Sequence, residues 1–172
     1  MVTQAKKTRY TPEEYLELER SSEFKSEYLD GQIYAMSGGG PEHSTITVNG
    51  TAVIALQLKG KPCWVFSSDM KVRTSSTGLY AHPDVSVVCA TMRFPDERRD
   101  VLLNPMAIVE VLSPSTEAFD RGKKFANYRK IDSLTDYLLI SQDELRIEHY
   151  TRQSDNQWLL STSLRGRSSR SL

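Results

Sequence analysis

The chain has 172 residues, 22 Lys plus Arg against 22 Asp plus Glu, a formal net charge of zero and 38% apolar residues. That length suits one domain, large enough to enclose a core without metal or disulfide staples. The balanced charge excludes a global basic field and so argues against a nonspecific polyanion binder, while leaving room for a local basic groove.

The opening stretch MVTQAKKTRY lacks the apolar core of a signal peptide, and no apolar run approaches the ~18 to 20 residues that span a bilayer, so a soluble cytoplasmic protein is expected. Thr11-Pro12-Glu13-Glu14 predicts a helix start: Thr11 as N-cap, Pro12 at the first helical position and Glu14 closing a capping box, with the helix reaching about Arg20. Asp30-Gly31, set between Glu27-Tyr28-Leu29 and a β-type run from Gln32 to Met36, predicts a hairpin. Ser37 to Pro41 breaks the pattern. A second helix is expected from Glu42 to Lys59, with Ile46, Val53 and Leu56 on one face and Gly60 as its stop. Trp64 to Arg73 alternates like one strand, with Asp69 and Lys71 on its polar side.

Asp84 to Ala90 reads as a short buried strand. Cys63 and Cys89, in apolar strand-like settings, are expected to be two buried thiols in a reducing compartment. Asn104 to Lys130 reads as a buried strand, a polar turn and a helix. Three antiparallel strands, 136–141, 145–151 and 157–161, close the fold. The expected architecture is α/β or α+β, a mixed central sheet flanked by at least three helices. Residues 1–161 form the one domain, and the Ser- and Arg-rich tail 162–172 is expected to be disordered.

One residue stands out. Glu110 lies inside the apolar run Met106, Ala107, Ile108, Val109, Val111, Leu112, where a carboxylate is costly to bury unless it is paired, protonated or bound to a cation. The candidate partners are the segment opening with Pro83-Asp84 and the pair Lys123-Lys124. Two carboxylates at adjacent strand positions, Asp84 and Glu110, suit a hard divalent cation such as magnesium. The competing reading has Asp84 capping a turn and Glu110 paired with an arginine. Asp69-Met70-Lys71 imitates a catalytic triplet but reads as an exposed ion pair or as support. His43, His82 and His149 show no ligand spacing to one another.

Pro83-Asp84, Glu110 in a strand and a nearby lysine resemble the PD-(D/E)xK nuclease superfamily. Five segments narrow the resemblance to the Uma2 (DUF820) family of restriction-endonuclease-like proteins: YTPEEYLELE at 10–19, EYLDGQIYAMSGG at 27–39, HPDVSVV at 82–88, IVEVLSPST at 108–116 and DRGKKFANYRKIDSLTDYLLIS at 120–141. The resemblance implies a restriction-endonuclease-like fold and a metal-dependent endonuclease acting on DNA. It makes Asp84 and Glu110 catalytic metal ligands for Mg2+ or Mn2+, with Glu27 as a further acid that ligates the metal or holds a metal-bound water. The superfamily lysine position, two after the second acid, holds Leu112. The resemblance therefore assigns that charge to Lys124, which shares a helix face with Tyr128, while Lys123 points elsewhere. His43 resembles a family position and has a substrate-facing role open to it. A homodimer is compatible with cutting two strands. Two rival readings are kept: a nuclease-fold module that binds without cleaving, and a metal-free carboxylate-pair hydrolase.

Overall fold

Local rules dictate the entry to the chain. In the computed structural model, which describes residues 9–76 and 78–164, α1 (Pro12–Ser21) starts at a complete capping box. The Thr11 amide donates to Glu14 Oε2 at 2.8 Å, and the Glu14 amide donates to Thr11 Oγ1 at 3.3 Å. β1 (Ser26–Leu29) and β2 (Gln32–Ala35) form the expected hairpin, with Asp30 and Gly31 at φ 49° and 87°.

α2 (Pro41–Gln57) follows, then β3 (Trp64–Ser67), β4 (Lys71–Arg73), β5 (Tyr80–Ala81), β6 (Val85–Val88), β7 (Val101–Leu102) and β8 (Ala107–Val111). A continuous helical run covers 117–128, made of α3 (Glu117–Phe119), a π-helical turn (Asp120–Lys124) and α4 (Phe125–Tyr128). β9 (Asp136–Ile140), β10 (Arg146–Arg152) and β11 (Trp158–Leu164) complete the described chain.

The mixed α+β class holds, but the strands divide between two sheets. One has the order β2-β1-β5-β4-β7 and the other β11-β10-β9-β8-β6-β3. In the larger sheet β8 is parallel to β9 and antiparallel to β6. β8 is therefore an interior strand, and Ile108 to Val111 are buried as the apolar run requires. The main core joins Val72, Leu79, Ile108, Leu112, Phe125, Tyr128 and Tyr137, while Tyr15, Tyr28, Tyr80 and Val101 form a second cluster under α1.

Four expectations are corrected. The stretch 64–73 is two strands in different sheets, because a turn at Ser67 to Met70 redirects the chain. Lys71 is consequently buried beside Glu19, while Asp69 pairs with Lys25. The inward face of α2 runs through His43, Ile46, Thr47, Gly50, Thr51 and Ile54, leaving Val53 and Leu56 52% and 70% exposed. Small side chains let the helix approach the sheet there: a Cβ on Gly50 would meet Ile140 Cδ1 at 4.0 Å. Cys63 and Cys89 are joined in a disulfide instead of being free thiols, since the β3–β6 register continues from Trp64↔Val88 to bring them opposite each other. The case for a reducing compartment built on free thiols lapses with it. Finally, β11 extends to Leu164, so 162–164 belong to the sheet; the rest of the expected tail, 165–172, lies outside the described residues.

Candidate active site

The register of β6 against β8 pairs Val85 with Val109. One step further puts Asp84 opposite Glu110, and opposed residues of an antiparallel pair project to the same face. Backbone amides fix both carboxylates. Asp84 Oδ2 accepts from the Val111 amide at 2.8 Å, and Glu110 Oε2 lies 3.4 Å from the Asp84 amide. Asp84 thus supports the neighbouring strand as well as facing Glu110.

The helical run 117–128 supplies the cation. Its inward residues include Asp120, Lys124 and Tyr128, spaced four apart on one face. Lys124 Nζ lies 3.0 Å from Glu110 Oε1, 3.1 Å from Glu27 Oε1 and 3.4 Å from Asp120 Oδ1. The Tyr128 hydroxyl donates to Glu110 Oε1 at 2.9 Å. Glu27 comes from β1 in the smaller sheet, so Lys124 ties the two sheets together at this point. Lys123, one residue earlier, is exposed.

The electrostatics are unbalanced. Three carboxylates, Glu27, Glu110 and Asp120, gather around one ammonium, and a fourth, Asp84, stands beside Glu110. Burial pushes the Glu110 carboxyl up to about 8, opposed by Lys124 and reinforced by Asp120, Asp84 and Glu27. Burial likewise raises Asp120, and it holds the Tyr128 hydroxyl well above its ordinary range. Burial opposes the charge on Lys124, but the pull of Glu110, Glu27 and Asp120 more than offsets it and keeps the lysine above its usual value. Its ammonium is engaged by three carboxylates within 3.4 Å.

The donor chemistry suits a hard cation. Glu110 Oε1 takes two strong donors, so Oε2, with one long contact, is the oxygen left over. At Asp84 the Val111 amide engages Oδ2, which leaves Oδ1. Among the described residues no three His, Cys, Asp or Glu side chains converge into a complete metal cage. Two carboxylates supplemented by water nevertheless match the habit of magnesium, which keeps several waters and uses one or two carboxylates.

All four residues expected at the site, Asp84, Glu110, Lys124 and Glu27, are brought together, and His43 joins them from α2, its Nε2 3.2 Å from Asp84 Oδ2. Sequence reasoning missed Asp120, although an acid four residues before Lys124 was a usable signal. It also missed a neighbouring buried group. Glu19 Oε1 lies 3.1 Å from His82 Nε2 and 3.9 Å from Lys71 Nζ, and the His82 amide reaches Glu27 Oε1 at 3.3 Å. Burial lowers both Lys71 and His82. Nothing local in the sequence separates Glu19 from the exposed acids of α1. A cavity of about 590 Å³, lined by Ile46, Ile140, Leu145, Ile147 and Leu164 among others, contains none of the four carboxylates.

A family model described as "Putative restriction endonuclease" (Uma2) matches residues 12–172. The chain belongs to the Uma2 family. Two Synechocystis proteins, the uncharacterised slr1290 and sll1609, are 43% identical over 152 residues and 38% identical over 156 residues. The alignments cover 87% and 91% of this chain and 78% and 88% of those proteins. A crystal structure of "a putative nuclease belonging to DUF820" from Anabaena variabilis superimposes with a TM-score of 0.71 at 23% identity, covering 89% of this chain and 83% of that one. At that identity the match establishes the fold, so this Uma2 chain has the fold of that protein. No described helix is long and apolar enough to cross a membrane.

Proposed function

We propose that this protein is a divalent-metal-dependent endonuclease that hydrolyses phosphodiester bonds in DNA. The observation that carries the reading is the facing pair Asp84 and Glu110 within a cluster of four carboxylates that a single ammonium, Lys124, leaves short of positive charge. Asp84 Oδ1 and Glu110 Oε2 would hold Mg2+ or Mn2+, with Glu27 close enough to position water. When bound, such an ion polarises a phosphoryl oxygen and lowers the pKa of a bound water.

The chain's own residues do the rest. Tyr128 and Lys124 hold Glu110 Oε1 and so leave Oε2 facing Asp84. Lys124 partly offsets the burial that favours the protonated form of Glu110, and its field also favours the negative charge that grows on a phosphate in the transition state. Arg129 and Lys130 are exposed at the end of the helical run, where they can attract a DNA backbone. DNA as substrate, a cytoplasmic setting and a homodimer that presents one site to each strand belong to the same reading.

A second reading, a DNA-binding module that does not cut, is favoured by one observation: Lys124 is buried and already engaged by Glu27, Glu110 and Asp120. Incubation of supercoiled and linear DNA with the protein in Mg2+, in Mn2+ and in chelator separates the two. Nicking and linearisation that chelator abolishes support the nuclease. Binding without cleavage in either metal supports the module, and cleavage in chelator points to metal-free hydrolysis.

A further inference from the structure

His43 opens the first turn of α2, and its imidazole is held from two sides. Its Nε2 lies 3.2 Å from Asp84 Oδ2, with the two side chains only 20% and 15% exposed. On the other side stands Gly39, where an added Cβ would sit 2.7 Å from His43 Nδ1, 2.8 Å from Cγ and 3.1 Å from Cβ. These atoms lie near the root of the side chain, so the ring could not yield without turning off Asp84. The glycine is therefore a steric requirement of the ring position.

Asp84 Oδ2 already accepts the Val111 amide at 2.8 Å. The imidazole standing 3.2 Å from that oxygen is a second contact that restricts the rotation of the carboxylate about its Cβ–Cγ bond, which a single hydrogen bond leaves loose. We propose that His43, backed by Gly39, is a positioning residue that occupies Asp84 Oδ2 and so presents Oδ1 as the oxygen available to a divalent cation. Outer hydrogen-bond partners that orient a ligating carboxylate typically control metal affinity by about 10- to 100-fold. This inference rests on the metal reading above.

Calorimetric titration of Mn2+ into the metal-free protein tests it, with thermal melts alongside to show that each variant is folded. His43→Ala is expected to weaken Mn2+ binding by about tenfold or more. His43→Gln, whose amide can donate to the same oxygen, is expected to recover most of the loss. Gly39→Ala should reproduce the His43→Ala loss, and the double variant should bind no more weakly than His43→Ala alone, because both changes remove the same contact on Asp84. Wild-type binding with an unchanged His43→Ala affinity overturns the positioning role and leaves the metal site standing. Equal loss in His43→Ala and His43→Gln overturns it too, since ring packing and not the polar contact with Asp84 would then matter. Absence of Mn2+ binding by the wild type overturns the metal reading and this inference together.

Discussion

Glu110 and Lys124 form a buried pair, Oε1 to Nζ 3.0 Å, in which the lysine is also the nearest cation to Glu27 and Asp120. Removing one partner of a buried ion pair is far more damaging than removing an exposed charge, because the other partner stays behind unsatisfied. Lys124→Ala would strand three carboxylates. We expect it to cost about 3 to 5 kcal/mol of stability in chemical denaturation, and to reduce turnover by roughly two to three decades where it remains folded. Lys123→Ala, on the exposed side of the run, should stay within about 0.5 kcal/mol of wild type and cleave normally. A Lys124→Ala variant that melts and cleaves like wild type contradicts the arrangement.

The pH dependence of the metal-free protein follows from Glu110. In the unfolded chain its carboxyl ionises near the ordinary value of 4.5, whereas in the folded protein burial holds the proton to about 8. Between those values the folded state binds more protons than the unfolded state, so the contribution is full below the unfolded value and is lost as pH rises through about 8. One proton corresponds to a slope of up to about 1.4 kcal/mol per pH unit. Glu110→Gln should flatten that slope when stability is measured by denaturant titration across the window. An unchanged slope in the variant would assign the effect to another group.

Attraction to DNA should come from the exposed bases and not from Arg121. Arg121 is held by Glu117, at 2.8 Å, and by Glu148 on β10. Its replacement by Ala should lower stability and leave the salt dependence of DNA binding unchanged. Lys130→Ala or Arg129→Ala should each reduce the slope of log affinity against log salt by about one for every phosphate no longer neutralised. Slopes equal to wild type in both would place the DNA on another surface.

The local signals in the sequence were legible where the physics is local. The capping box at Thr11 and Glu14, the Asp30-Gly31 hairpin and the buried strand around Glu110 depend on neighbours a few residues away, and each formed as expected. The demand that Glu110 find a partner was legible too, because a buried carboxylate is costly in any fold. What could not be read was which sheet a strand joins. The division of 64–73 between two sheets buried Lys71 and brought Cys63 opposite Cys89, both long-range consequences of register. The inward face of α2 was misjudged because its close approach to the sheet uses Thr47, Gly50 and Thr51, residues an apolar pattern passes over.

The central claim is that Asp84 and Glu110 share a cation, and calorimetric titration of Mg2+ into wild type, Asp84→Asn and Glu110→Gln, with circular dichroism as the check on folding, tests it most directly. Wild type is expected to bind the ion, and each folded variant to lose most of that binding together with DNA cleavage. Unchanged Mg2+ affinity in both variants would contradict it.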